Sequence, residues 1–389
     1  MEDISMFSIR GLWFFCVATL VLAAPMAAQA VVVSTAQELL TAVDQANSGG
    51  DTEIVLMDGT YTLDRMLWVE ADNLVVRGQS GERDSVVIEG HGMQGDVTHI
   101  FNVAGDNIVV RDLTMGRVSQ HAFQTQPSAQ SPRLVNLRII DTGEQMVKIA
   151  YNPDQPGQHT DNGALEYCIL EYTAGIGPQY YIGGIDCHAG HNWVVRNNVF
   201  AGIRSPDDQI AEHAVHFWSG ARNTLVEGNL IINCDRGIGF GLGDRPHHGG
   251  IIRNNMIYHA ALQGNGDVGI SLESAQGAQV YNNTVILEHG YPHAIEYRFP
   301  ATQGVLIANN LCNKAVMVRD GATGTVGNNI EHASPAWFVN PSGANLHLAS
   351  AVPEAVDQGR TIDGLVEDYD GDRRPLGAGP DVGADEYAH

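Results

Sequence analysis

Residues 184–220 read GIDCHAGHNWVVRNNVFAGIRSPDDQIAEHAVHFWSG, and two segments within them alternate strictly, Gly184 to His188 and Ala214 to Trp218. In each, one face is apolar (Ile185 and Cys187; Val215 and Phe217) and the other carries Asp186, His188, His216 and Trp218. Alternation with a period of two marks a strand with one face in a core and the other toward water. Between them lies a third strand ending in a doubled asparagine, within Val194 to Phe200, the doublet being Asn197-Asn198.

That doublet repeats. Its second residue recurs as Asn198, Asn229, Asn255, Asn283, Asn310 and Asn329, and the equivalent upstream slots hold Leu113, Leu137 and Cys168. Aligning the strand after each slot gives a column of inward pairs: Phe101/Val103, Phe123/Thr125, Val147/Ile149, Ile185/Cys187, Val215/Phe217, Ile238/Phe240, Ile270/Leu272, Ile295/Tyr297 and Val316/Val318. A repeat of about 20 to 30 residues made of short strands and turns is the signature of a β-solenoid, in which coils bury their apolar faces against one another. The predicted fold class is therefore all-β: a single-stranded right-handed parallel β-helix with an N-terminal capping helix. The asparagine column reads as scaffold, with stacked amides pairing backbone groups that a buried turn would leave unsatisfied.

Thr35-Ala36-Gln37-Glu38 is a capping box, followed by an apolar stripe of Leu39, Leu40, Val43 and Ala46. Residues 1–30 read as a signal peptide, with Arg10, an apolar run from Leu12 to Ala24 and a cleavage site at Ala28-Gln29-Ala30. The helix domain then spans 31–330, and 331–389 form its C-terminal cap. Asp368, Asp370 and Asp372 alternate as in some calcium loops, but no full ligand set follows, so this stretch reads as cap. The expectation is a secreted or periplasmic monomer. Twenty-one basic against 45 acidic residues leave a formal charge of -24, which argues against nucleic acid or an anionic membrane as partner. Cys168, Cys187, Cys234 and Cys312 fit no metal spacing or disulfide framework and read as buried thiols.

The opening TAQELLTAVDQANSGGDTEIVLMDGTY, the coil repeats and the closing DGDRRPLGAGPDVGADEY resemble right-handed parallel β-helix proteins of the carbohydrate-active superfamily, which includes chondroitinase-B-like and alginate lyases and mannuronan epimerases. GIDCHAG is similar to the Asp-Pro-His stretch of those epimerases, through Asp186 and His188 with Cys187 in place of proline. The resemblance implies action on an acidic, uronic-acid-containing polysaccharide by β-elimination, with epimerisation or non-catalytic glycan binding as alternatives. The paired-aspartate motifs of polygalacturonases are absent, which speaks against inverting hydrolysis.

Proton abstraction beside a carboxylate needs a base, an acid for the leaving oxygen and a cation on the carboxylate. The outward column supplies candidates on three consecutive rungs: Lys148, then Asp186 and His188, then His216 and Trp218. His216 is the first choice for base, with Lys148 as rival base or carboxylate clamp and His188 as proton donor. Asp186 orients His188 or holds a metal, and Trp218 offers a stacking face to a sugar. Gly239 and Gly241 on the next rung are expected to leave room for substrate. Arg298, Arg319 and Glu273 lie further along and suit distal binding. Tyr180 and Tyr181 precede Gly184 in an insertion that would overhang the groove, and His247-His248 read as loop residues. Calcium is the one cofactor this chemistry would call on.

Overall fold

In the computed structural model, residues 30–261 and 264–388 are described; the segment read as a signal peptide lies outside them, apart from Ala30. Strands one coil apart pair in parallel, as with Val194–Arg196, Leu225–Glu227, Ile251–Arg253 and Gln279–Tyr281. After the asparagine turn a second stack follows, Val199–Ala201, Leu230–Ile232, Met256–His259 and Thr284–Leu287. The third wall is a ten-stranded parallel sheet running from Leu67–Val69 to Ala315–Arg319. Three walls of short parallel strands, wound coil upon coil, make a parallel β-helix.

The inward column is in register as aligned: Phe101, Phe123, Val147, Ile185, Val215, Ile238, Ile270, Ile295 and Val316 are successive partners. The first eight are fully buried. Burying one such side chain stabilises by roughly 1.5–3 kcal/mol, which no single coil achieves without neighbours above and below. The column ends at the last coil, where Val318 is exposed. The four cysteines among the described residues are free and buried, and burial pushes the Cys168 and Cys234 thiols up to about 12.

The asparagine ladder is continuous. From Asn198 to Asn329 each Nδ2 donates to the next coil's Oδ1 at 2.9 Å. Each backbone N–H donates to the same oxygen at 3.0–3.1 Å. The first residue of each doublet, Asn197, Gly228, Asn254, Asn282, Asn309 or Asn328, has φ between 52° and 64°, the left-handed conformation that Asn and Gly tolerate best. Its amide has a second use. Asn254, Asn282, Asn309 and Asn328 donate to the carbonyls of Glu367, Asp381, Arg360 and Gln358, which ties the C-terminal segment along the turn row. Within that segment Asp368 accepts the backbone N–H groups of Asp370, Asp372 and Glu386, so its carboxylate serves the cap. At the other end the capping box forms between Thr35 and Glu38, and Leu39, Leu40, Val43 and Ala46 are buried.

Replacing Asn255 by Leu would take from the Asn229 N–H its acceptor and from the Val226 carbonyl its amide donor, while the Asn229 amide keeps the carbonyls of Val195 and Glu227. At about 1–3 kcal/mol per buried unpaired group, Asn255→Leu is expected to destabilise by at least about 1 kcal/mol, read as a lowered midpoint in thermal or urea unfolding.

Burial also depresses the histidines that the coils enclose, His121 to about 4 and His247 to about 3. Unfolded histidine takes up its proton near 6.5, whereas these do so only at lower pH. Their contribution is therefore intact above pH 6.5 and declines as pH falls toward 4, by up to about 1.4 kcal/mol per pH unit for each ring. Asp235, raised by burial to about 6, works in the opposite sense. The clean readout is thus a difference: His247→Gln is expected to show a shallower fall of melting temperature from pH 6.5 to 4 than the parent chain.

Candidate active site

Strands Val147–Ile149, Ile185–His188 and His213–Trp218 are adjacent in the ten-stranded sheet, with Lys148 opposite Asp186, Asp186 opposite His216, and His188 opposite Trp218. The register therefore brings together the residues expected to share a site. The contacts are tight. The Lys148 ammonium pairs with Asp186 Oδ2 and lies 3.2 Å from His188 Nε2. Trp218 donates its indole N–H to Asp186 Oδ1 at 2.7 Å. Because an ammonium can only donate, its contact with His188 assigns the lone pair to Nε2 and the hydrogen to Nδ1. That Nδ1 is 3.2 Å from Ser219 Oγ.

Asp186 is 4% exposed. Burial alone would raise its carboxyl, but His188 and the Lys148 ammonium more than reverse this and hold it well below the usual carboxylate range. Burial likewise disfavours the charged form of Lys148, and the Asp186 carboxylate outweighs it, so the ammonium is held above its ordinary value. Lys148 is thus a fixed cation. Tyr181, exposed at the rim, and Glu212 lie within electrostatic reach of it. Glu144 borders the same ammonium and is raised by burial.

The structure departs from the sequence reading at His216, which was placed on the open face. It is 1% exposed. Its ring stacks on Trp218 at 5.0 Å and 9°, and lies 4.5 Å from the ring of His213. Its Nε2–H donates to the carbonyl of Gly241 at 3.2 Å, and burial lowers its basicity. Alternation placed it correctly on the outer side of the sheet, where the rings of His213 and Trp218 and the backbone of Gly241 cover it. His188, with 18% of its side chain exposed, and Lys148, with 14%, are the members that reach the surface.

Gly239 and Gly241 do not open a space for substrate. A Cβ on Gly239 would come within 2.7 Å of His213 Nε2, so the missing side chain admits the histidine ring. Gly241 has φ +75°, and a Cβ there would strike the carbonyl oxygen of Glu273. Trp218, expected to stack on a sugar, already has the Arg245 guanidinium 4.7 Å from its ring centre and His188 at 4.3 Å. Arg298, Arg319 and Glu273 lie farther along the sheet, outside the cluster: Arg298 pairs with Asp320 and, at 3.8 Å, with Glu273, while Arg319 pairs with Glu296. His247 is buried and stacked on Phe240. Sequence reasoning passed over Glu212, His213, Ser219 and Arg245; Glu212-His213 directly before the alternating strand was the signal available.

No protein-family model matches the chain, and no curated protein does. Among solved structures, that of the pectate lyase Pel9A aligns over 94% of this chain and 98% of its own, with TM-score 0.55 and 12% identity. The chain shares its parallel β-helix fold with that structure. An alginate lyase from Paenibacillus sp. str. FPU-7 aligns over 76% of this chain and 99% of its own (TM-score 0.47, 13% identity). The A-module of the mannuronan C-5 epimerase AlgE6 from Azotobacter vinelandii aligns over 76% and 93% (TM-score 0.44, 15% identity). The likeness to Pel9A is of fold, as the resemblance in the sequence implied.

Lys148→Met removes the partner of a buried carboxylate and is expected to destabilise by about 3–5 kcal/mol at pH 7. The deficit should shrink on acidification toward pH 4, because the unpaired Asp186 then takes up a proton; urea unfolding at both pH values measures it.

Proposed function

We propose that the chain is a polysaccharide lyase, exported from the cytoplasm, that cleaves a uronic-acid-containing polysaccharide by β-elimination. The observation that carries this reading is the Lys148 ammonium, fixed by Asp186 at the surface of a protein with net charge -24. An anionic polymer needs a local cation on such a molecule, and Lys148 has one N–H left after Asp186 and His188. That N–H neutralises the uronate carboxylate and lets charge move onto it as the neighbouring C–H ionises. The base is His188: as the Lys148 ammonium turns to the substrate carboxylate, the N–H it gave to Nε2 is withdrawn and that lone pair is freed. It takes the proton from C5, the electron pair forms the C4–C5 double bond, and the C4–O bond breaks. Tyr181 at the rim donates its hydroxyl proton to the leaving oxygen. His216 has a positioning role, behind Trp218 and Asp186.

Calcium prefers six to eight oxygen ligands. The Asp186 oxygens already meet Lys148 and Trp218, so the carboxylate at the centre of the cluster is not free for calcium.

The test is a screen of the mature protein against alginate, pectate, chondroitin and dermatan sulfates, hyaluronan and ulvan, read by the ultraviolet absorbance of the unsaturated uronate. Lys148→Ala and His188→Ala should each lower turnover at least about a hundredfold. Loss in His216→Ala with activity kept in His188→Ala would move the base to His216. Inverted uronate without chain cleavage would make the enzyme an epimerase, and binding without turnover on any substrate would make the groove a glycan-binding surface.

A further inference from the structure

Beneath the Lys148–Asp186 pair two buried histidines each use one ring nitrogen and leave the other without a hydrogen-bond partner. His213 Nε2 meets Ser271 Oγ at 2.9 Å, and His213 Nδ1 is buried with no partner among the described residues. His216 gives its Nε2–H to Gly241, so its Nδ1 carries a bare lone pair. That lone pair faces Asp186 Oδ1 at 3.8 Å and Glu212 Oε2 at 3.9 Å. A neutral nitrogen and two carboxylate oxygens turned toward one another, too far apart for hydrogen bonds, repel unless a cation lies between them.

We propose that Glu212, His213 and His216 form a binding site for a divalent transition-metal ion of the zinc class. Their ligand atoms lie within 4.8 Å of one another. Imidazole nitrogens with a carboxylate are the donor set that zinc-class ions select, whereas calcium takes oxygen alone. The outer shell is already in place: metal-bound histidines characteristically anchor their second nitrogen on a carbonyl or another polar group, as Gly241 and Ser271 provide here. Gly239 supplies the space in which the His213 ring lies flat over the sheet. Burial keeps both rings neutral, the ligating form. Glu212 is partly exposed and gives the ion a route in from solvent. The cluster of His159, Asp161 and His191 is different: His159 Nδ1 is hydrogen-bonded to Asp161 Oδ1 at 2.8 Å, and that oxygen also accepts the His191 backbone N–H.

This inference goes beyond the lyase reading and is tested without turnover. Untagged protein, stripped with chelator, is titrated with Co2+ and followed by visible absorption. The expected result is a single ion per chain with the intense bands of a low-coordinate site, not displaced by excess Ca2+. Glu212→Gln, which alters a partly exposed side chain, should weaken binding at least about tenfold with an unchanged melting temperature. His213→Gln, checked for folding by circular dichroism, should do the same. The proposal is overturned if only the weak bands of hydrated Co2+ appear, if Ca2+ at similar concentration displaces the ion, if both variants bind as the parent does, or if Asp161→Asn abolishes binding while Glu212→Gln does not.

Discussion

A buried turn must satisfy its backbone, and in this protein the asparagine ladder does so. Every coil turns a corner inside the stack, where N–H and C=O groups have no strand partner and no water. One amide per coil, stacked from Asn198 to Asn329, accepts from the coil before and donates to the coil after. The constraint is geometric as well as energetic. A ladder of this kind requires each coil to begin its next strand at the same point; it starts in the coil that carries His216, and the Cys168 N–H of the coil that carries Asp186 donates to Asn198 Oδ1 at 2.8 Å. Upstream, Leu113, Leu137 and Cys168 fill the slot with apolar groups, and the Leu137 N–H turns to the Cys168 sulfur.

On this frame the ten-stranded sheet carries an unusual concentration of charge under cover. Asp186 lies beneath Lys148, Trp218 and two histidines, and its ionised form is sustained by the ammonium that it in turn fixes. The two groups are mutually dependent: a buried carboxylate without its cation would be costly, and a half-buried lysine without its carboxylate would tend to lose its proton. The result is a cation held rigidly near the surface of an acidic protein. Flexibility of the lysine stem is removed by its neighbours, which suits recognition of a carboxylate in one position.

Glycine plays a complementary part on the same wall. Gly239 follows His216 in the outward column, and its missing side chain is filled by His213. A rung that reads as empty in the sequence is thus occupied by a residue from the start of the preceding strand. The same economy appears in the asparagine doublets, whose first members set the left-handed turn and then tether the C-terminal segment through Glu367, Asp381, Arg360 and Gln358.

Period-two alternation, the recurring doublets and the capping box were enough to establish the parallel β-helix, its register and the side of the sheet on which each candidate lies. These are local properties, since adjacent residues on a strand must point to opposite faces and each coil must meet the phase of the next. Lys148, Asp186, His188, His216 and Trp218 were legible as neighbours for that reason. Burial was not legible. Whether an outward residue meets solvent depends on segments that approach from elsewhere, and these segments have no period. His216 is enclosed because Trp218, His213 and the backbone of Gly241 close over it. Glu212 and His213 precede the alternating segment Ala214 to Trp218 and so had no assigned face. His213 opens the same strand, and its meeting with His216 depends on its ring lying against Gly239 of the next coil, which only the tertiary structure decided.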